Sequence, residues 1–155
     1  MNSSCGKFGI ILPFQCLSSM ISFCEDSKGA EVGGLLAGHY STNRNQAFIS
    51  SVSGPAIDSR ASRTWFVRGK IRLQNWLDNL WQKSQGYYVG EWHYHPDSSP
   101  HASTDDDSEM IRIANNSNYS CPEPVLIIIG GSADNWQISA QVYRATGRSI
   151  TLLKT

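Results

Sequence analysis

Two histidines, His93 and His95, end an alternating run of residues that begins at Tyr87 (YYVGEWHYH). Because successive side chains of a β-strand point to opposite faces, both imidazoles face the same way, with α-carbons about 6.6 Å apart. Two imidazoles placed in this way can each reach one metal ion at about 2.0 to 2.1 Å. The spacing therefore predicts that one strand supplies two ligands of a metal site.

Three successive aspartates, Asp105, Asp106 and Asp107, offer a third ligand at the start of the next predicted helix. Asp106 shares a helix face with Met110 and Ile113 and is expected to point inward. Asp105 falls on the charged face, and Asp107 is the less favoured alternative. Two histidines and one carboxylate leave an open position on a tetrahedral zinc ion, which is typical of hydrolysis rather than of structural support.

Three further polar residues near the histidines have an ordinary structural interpretation beside a functional one. Ser103 fits the N-cap of the helix, three residues before Asp106 as in a capping box. Glu91 lies on the predicted histidine face and is a candidate partner for a ligating imidazole. His101 belongs to the intervening loop, where a solvated or substrate-contacting histidine is expected.

The remaining patterns predict the elements that position these residues. Apolar residues at helical spacing predict helices over Leu17–Cys24, over Leu73–Trp81 and from Ser103 to about Asn115. Short apolar or alternating runs predict strands at Glu31–Gly38, Ala47–Ser53, Thr64–Val67, Val125–Ile129, Gln137–Arg144 and Ser149–Leu153, the first two joined as a hairpin. The expected fold is therefore α/β of the α+β type, a mixed sheet flanked by about three helices.

Packing can be predicted for three of these segments. The run Val125–Ile129 (VLIII) is expected to be buried on both faces. Strict alternation along the histidine strand places Val89 and Glu91 on the histidine face and Tyr88 on the opposite face. The apolar stripe of Leu73–Trp81 is assigned to the hydrophobic core and is given no catalytic role.

At 155 residues the chain fits one domain, 1–155, and its 13 basic and 13 acidic residues cancel without forming a block of one sign. Neither a nucleic acid nor a membrane is therefore expected as a partner. The longest apolar run is too short to cross a bilayer and the N-terminus has no signal-peptide pattern, which predicts a cytoplasmic protein. Cys5, Cys16, Cys24 and Cys121 form no CxxC pair and are expected to be buried free thiols.

The histidines, the serine and the aspartate also fit one longer motif. His93-Tyr94-His95, seven residues, Ser103, two residues and Asp106 match the H-x-H-x(7)-S-x(2)-D signature of the JAMM (MPN+, or JAB) metallopeptidases. The upstream segment EVGG, which starts at Glu31, resembles the glutamate segment of the same family. The order and rough spacing of the predicted elements are similar as well, so the resemblance covers most of the chain.

The resemblance implies an MPN/JAB-like (cytidine-deaminase-like) fold and a Zn2+ ion bound by His93, His95 and Asp106. It implies that Glu31 carries a proton from water to the leaving amine and that Ser103 helps to stabilise the tetrahedral intermediate. The residues alone would not select Glu31, because Glu91 is the obvious local candidate for the proton carrier.

The block GEWHYHP, which ends at Pro96, resembles bacterial JAMM proteins of anti-phage operons, in particular the deconjugating peptidases of type II CBASS systems. That resemblance implies a substrate in which the C-terminal tail of a cGAS-like nucleotidyltransferase is joined to another protein, and a functional link to an E1-E2 fusion protein. A peptidase for another ubiquitin-like or sulfur-carrier tail and a non-catalytic MPN scaffold are the alternatives. The strand that ends at His95 and the loop Pro96–Ala102 are candidate walls of a groove for such a tail, and the individual substrate-binding residues are left unknown.

Overall fold

The structure is a computed structural model that describes residues 7–55, 70–149 and 151–155. The helices are α1 (Phe14–Asp26), α2 (Lys70–Ser84) and α3 (Thr104–Asn115), and a 3-10 turn follows at Ser117–Tyr119. The strands are β1 (Phe8–Ile11), β2 (Val32–Tyr40), β3 (Gln46–Val52), β4 (Tyr87–Pro96), β5 (Val125–Ser132), β6 (Asn135–Arg144), β7 (Gly147–Ser149) and β8 (Thr151–Lys154). No helix among the described residues is long and apolar enough to cross a membrane.

All eight described strands form one sheet in the order β7-β6-β5-β4-β2-β3-β1-β8. The β4–β5, β1–β3 and β1–β8 pairs are parallel, and the remaining pairs are antiparallel. The Thr151 hydroxyl on β8 donates a hydrogen bond to the Ala140 carbonyl on β6, so the sheet curls until its two ends approach each other. The mixed sheet with three helices confirms the predicted fold class.

Strand β5 is an interior strand of the sheet and is buried on both faces, as its unbroken apolar run predicts. Val125, Ile127 and Ile129 belong to the larger hydrophobic cluster, which also contains the buried residues of α1. Leu126 and Ile128 belong to a second cluster, with Met110 and Ile113 of α3. Because α3 packs against the same strand that pairs with β4, its N-terminus is held close to the histidines.

The alternation predicted for the histidine strand is wrong in its first half. A one-residue bulge at Val89 shifts the pairing of β2 with β4 between Leu36 and Ala37. Val89 therefore packs in the larger core cluster, and Tyr88 moves to the face of Glu91. Gly90 follows the bulge with a φ of +153°, and a Cβ there would lie 1.9 Å from the Val125 carbonyl oxygen. Only glycine fits this close approach of β4 to β5.

The assignment of the α2 stripe to the core is also wrong. From Leu73 to Ser84, the part of α2 whose side chains are described, no side chain is buried, and Trp81 is 51% exposed. The reason is tertiary, because Leu73, Leu77 and Trp81 line a cleft instead of facing the sheet interior. An amphipathic pattern shows that a helix has an apolar face but does not show what that face contacts.

Other predictions have mixed outcomes. The hairpin of β2 and β3 is confirmed, but the strand predicted at Ser149–Leu153 is divided into β7 and β8. Strand β1 was not predicted, since four residues are too few for a periodic pattern and its partners β3 and β8 are distant in sequence. The thiols of Cys16, Cys24 and Cys121 are buried and free, as expected. The predicted strand Thr64–Val67 and Cys5 lie outside the described residues.

Candidate metal centre

His93 and His95 lie on an interior strand, because β4 is hydrogen-bonded to β2 on one side and to β5 on the other. His93 is paired with Gly33 of β2 and with Ile128 of β5. A Cβ at Gly33 would lie 2.5 Å from the Trp92 carbonyl oxygen and 3.1 Å from His93 Cδ2. The absence of a side chain at Gly33 therefore leaves the space that the His93 imidazole occupies.

The N-terminus of α3 positions Asp106. Ser103 is the N-cap, and its Oγ accepts a hydrogen bond from the backbone N–H of Asp106 at 3.0 Å. Asp106 Oδ2 accepts in return from the backbone N–H of Ser103 at 2.8 Å, which completes a capping box. The helix cap thus fixes the carboxylate of Asp106 by the same two bonds that begin the helix.

The three predicted ligands meet between β4 and α3. His93 Nδ1 lies 2.9 Å from Asp106 Oδ1, and His95 Nε2 lies 3.5 Å from Asp106 Oδ2. The candidate ligand atoms of the three side chains all lie within 4.8 Å of one another. Two imidazoles and one carboxylate are a donor set that zinc takes in catalytic sites. The residues therefore fit a divalent metal ion.

The electrostatics of these groups favour a positive charge between them. Burial lowers the pKa of His93, but its contacts with Asp106 and Glu91 outweigh burial and raise that pKa to about 9. Burial raises the pKa of Asp106, but hydrogen bonds from His93 and Ser103 outweigh it and lower that pKa to about 2. Without a metal ion, an imidazolium beside an ionised carboxylate supplies the positive charge.

Glu91 lies beneath this group and is only 1% exposed. Its Oε2 is 3.4 Å from His93 Nε2, and its Oε1 accepts a hydrogen bond from the Tyr88 hydroxyl, also at 3.4 Å. Burial raises the pKa of Glu91, and His93 opposes that shift. Tyr88 was missed as part of the site because the bulge at Val89 reverses its face. The glycine that follows the bulge is the one signal in the sequence that could have indicated it.

Glu31 is exposed and immediately precedes β2. Gly33 is paired with His93, and continuing this antiparallel register by two residues places Glu31 opposite His95 on the same face. Glu31 lines the same cleft as His93, His95, Ser103 and Asp106. All five predicted site residues therefore line one cleft, and the three predicted ligands among them form the close group.

The two remaining aspartates lie outside the group of three ligands. Asp107, the less favoured alternative by helical phase, accepts a 2.6 Å hydrogen bond from the Tyr143 hydroxyl of β6, with Arg148 Nε at 3.5 Å. Asp105 is exposed at the rim of the cleft. His101 also lines the cleft and is exposed, with its Nδ1 2.8 Å from Ser99 Oγ. Neither Asp105 nor His101 belongs to the group of three ligands.

Comparison with known proteins connects this geometry to a family. Residues 13–142 match the prokaryotic homologs of the JAB domain. A CD-NTase/cGAS isopeptidase of Enterobacter hormaechei is 42% identical over 136 residues, which are 87% of this chain and 75% of that protein. A second protein of that name, from Escherichia coli, is 34% identical over 109 residues, 68% of this chain and 65% of that protein.

Two more distant likenesses agree with this match. A probable metalloprotease of Sinorhizobium fredii is 24% identical over 144 residues, 91% of this chain and 87% of that protein. A solution structure of a Desulfitobacterium hafniense protein superimposes with a TM-score of 0.59 at 17% identity, covering 94% of this chain and 92% of that one, and it supports the fold alone. The resemblance drawn from the histidine motif is confirmed, and the chain belongs to the family of prokaryotic JAB-domain homologs.

Proposed function

We propose that this protein is a zinc-dependent isopeptidase or amidase that hydrolyses the bond after the C-terminus of a conjugated protein. The JAB family and the isopeptidase and metalloprotease names of the relatives support a peptidase-type hydrolase. The observation that carries the proposal is the group of His93, His95 and Asp106 at a cleft that Glu31 also lines.

The three side chains of that group would hold the metal, with two neutral imidazole nitrogens and one carboxylate oxygen as donors. When bound, zinc supplies a Lewis acid for the scissile carbonyl and lowers the pKa of a water molecule. The protein contributes rigidity, since the histidines lie on an interior strand and Asp106 is fixed by the helix cap. Ligands that are held before the ion arrives need no rearrangement to receive it.

Glu31 is the proposed proton carrier. Its carboxylate takes one proton from the attacking water and later gives that proton to the leaving amine, so that it returns to its ionised state after each turnover. Its exposed position at the cleft allows contact with water and with the substrate. Transfer of this kind typically contributes about 10² to 10⁴ in rate.

Ser103 is the proposed donor to the developing oxyanion. In the helix cap its Oγ acts as an acceptor, which leaves the hydroxyl hydrogen available for donation to the substrate. The cap also fixes the backbone of Ser103, so the hydroxyl is held at the edge of the metal centre. A donor that is already in place stabilises an oxyanion without reorganisation.

For the substrate, the names of the two most similar relatives reported above support a conjugate of a cGAS-like nucleotidyltransferase. The cleft continues from the metal centre to Leu73, Leu77 and Trp81 of α2, which provides room for an extended tail. The proposed setting is anti-phage (CBASS) defence in the bacterial cytoplasm, with a functional link to an E1-E2 fusion protein. The same chemistry would serve another ubiquitin-like or sulfur-carrier tail.

Glu31→Gln tests the proposal, with Glu25→Gln as the matched control because Glu25 is exposed on α1 and does not line the cleft. Each zinc-loaded protein is incubated with the nucleotidyltransferase tail fused to a reporter protein. We expect Glu31→Gln to bind zinc normally and to cleave at least about 100-fold more slowly, while Glu25→Gln cleaves like the wild type.

Unchanged cleavage by Glu31→Gln would refute the role of Glu31. Cleavage of other tails, but not of this one, would retain the chemistry and change the substrate. If the zinc-loaded wild type cut no conjugate, a non-catalytic scaffold would replace the hydrolase.

A further inference from the structure

Glu91 is an unusual residue for the centre of a sheet. Within residues 7–55, 70–149 and 151–155 it is the one buried side chain that carries an ionisable carboxylate, and it is 1% exposed. It lies on β4, where the core residues Val89 and Trp92 flank it in sequence and the two histidines follow. Burial of a carboxylate is unfavourable unless the group is paired, so its partners indicate why it is there.

Two partners face the carboxylate of Glu91, one at each oxygen. Tyr88 donates to Oε1, and the bulge at Val89 is what turns Tyr88 to this face. The Tyr88 ring packs against Tyr119 with centroids 5.4 Å apart, which helps to close this side of the site. The second oxygen faces His93 Nε2 at 3.4 Å. The bulge thus places Tyr88 beside the Glu91 carboxylate, and that carboxylate faces the imidazole of His93.

The two nitrogens of His93 face different groups. Nδ1 lies 2.9 Å from Asp106 Oδ1, on the side where His95 Nε2 also approaches. Nε2 faces Glu91 on the opposite side of the ring. A neutral imidazole carries its hydrogen on one nitrogen and binds metal through the other, and the hydrogen bond of the first selects which nitrogen is which.

Resting on the metal site of the proposed function, we propose that Glu91 is a positioning residue that accepts a hydrogen bond from Nε2 of His93 and thereby presents Nδ1 to the metal. His93 would then bind through Nδ1 and His95 through Nε2. Glu91 does not touch the substrate or the reacting atoms. It acts through His93, by fixing both the rotation of the ring and the nitrogen that holds the hydrogen.

The test uses Glu91→Gln, which preserves the size of the side chain, with Tyr88→Phe as a milder change and Glu25→Gln as the control. Glu25 is exposed on α1 and does not line the cleft. Zinc affinity is measured by competition with a chromophoric chelator. We expect Glu91→Gln to bind one zinc ion about 10 to 100 times more weakly than the wild type, and Glu25→Gln to bind within about twofold of it. Tyr88→Phe should fall between the two.

A second measurement separates positioning from a general loss of stability. In ¹⁵N-labelled, zinc-loaded wild type, long-range imidazole NMR correlations should show His93 with a hydrogen on Nε2 and with Nδ1 bound to metal. Binding through Nε2, or wild-type affinity in Glu91→Gln, would overturn the inference while the proposed function stands. A wild type that binds no zinc would remove the proposed function and this inference together.

Discussion

Replacing Asp106 or Asp107 by asparagine changes one carboxylate to an amide of the same shape at adjacent positions of α3. Asp106 faces His93 and His95, whereas Asp107 accepts from Tyr143 on the other side of the helix. The two variants therefore have the same amino-acid composition but should have opposite effects on zinc binding. We expect Asp106→Asn to lose zinc and Asp107→Asn to keep it.

The contacts give the magnitudes. In the zinc-free protein, Asp106→Asn turns charge-assisted bonds with Ser103 and His93 into neutral ones, which should cost about 2 kcal/mol of unfolding free energy. Loss of a supporting group around a metal typically costs 10- to 100-fold in affinity, so the loss of a ligand should exceed about 100-fold. Asp107→Asn retains an acceptor for Tyr143 and should cost about 1 kcal/mol.

Zinc affinity by chelator competition and urea unfolding of the chelator-treated proteins measure both quantities. Tryptophan fluorescence can follow unfolding, since Trp92 is fully buried. The expected result is two variants of similar stability whose zinc affinities differ at least about 30-fold. This ratio follows if Asp106→Asn loses about 100-fold in affinity and Asp107→Asn itself loses no more than a few-fold. If Asp107→Asn lost zinc while Asp106→Asn retained it, the choice of Asp106 by helical phase and by the capping box would be refuted.

Two further predictions concern pH and packing. The ion pair with Asp106 raises the pKa of His93 from 6.5 to about 9 against the effect of burial, so the free energy of unfolding of the zinc-free protein should fall as the pH rises through about 9, by at most about 3 kcal/mol. Urea unfolding at pH 5.5, 7.5 and 9.5 measures this loss. An equal loss in His93→Gln would contradict the assignment to His93. The lowered pKa of Asp106 has the opposite sense, so its contribution is present above pH 3.8 and is lost as the pH falls through about 2. Gly33→Ala should lower the free energy of unfolding by about 1 to 3 kcal/mol and weaken zinc binding, because its Cβ would lie 2.5 Å from the Trp92 carbonyl oxygen. Gly86→Ala is the control and should change both quantities little, because no atom would lie closer than 3.4 Å to its Cβ. Unfolding and zinc titration of both glycine variants check this, and equal stability of the two would show that the β2–β4 contact has been misjudged.

The parts of the fold that were predicted correctly have strong local patterns. The run at Val125–Ile129 is apolar without interruption, and such a run fits a strand covered on both faces. The helix after Ser103 was predicted at its first residue, because the capping box is a local signal that involves only the backbone and two side chains. Neither prediction depends on distant parts of the chain.

The candidate site could be predicted only in part by such local reasoning. Strand period and helix phase select His93, His95 and Asp106, since both rules describe which way a side chain points. They do not select Glu31, whose approach to the histidines depends on the register between β2 and β4. The family signature supplied that residue.

The errors arise where distant contacts override local patterns. The bulge at Val89 lies in the pairing of β4 with the distant strand β2, and nothing within β4 except Gly90 indicates it. The stripe of α2 has the spacing of a core helix, yet Trp81 remains 51% exposed because that face borders a cleft. A pattern of period 3.6 is the same in both situations.

The capping box of α3 has a consequence for how a metal ion is acquired. An exposed aspartate normally samples several rotamers, and a metal that binds it must overcome that conformational entropy. Here the Asp106 carboxylate is ordered by its bonds to Ser103 when the helix forms, before any ion is present. The entropy of ordering this ligand is therefore a term in the folding equilibrium and not in the metal-binding equilibrium. Once β5 has joined β4 and α3 has packed on it, the folded chain is ready to bind the ion, and a mutation that frays the start of the helix would weaken metal binding without removing a ligand.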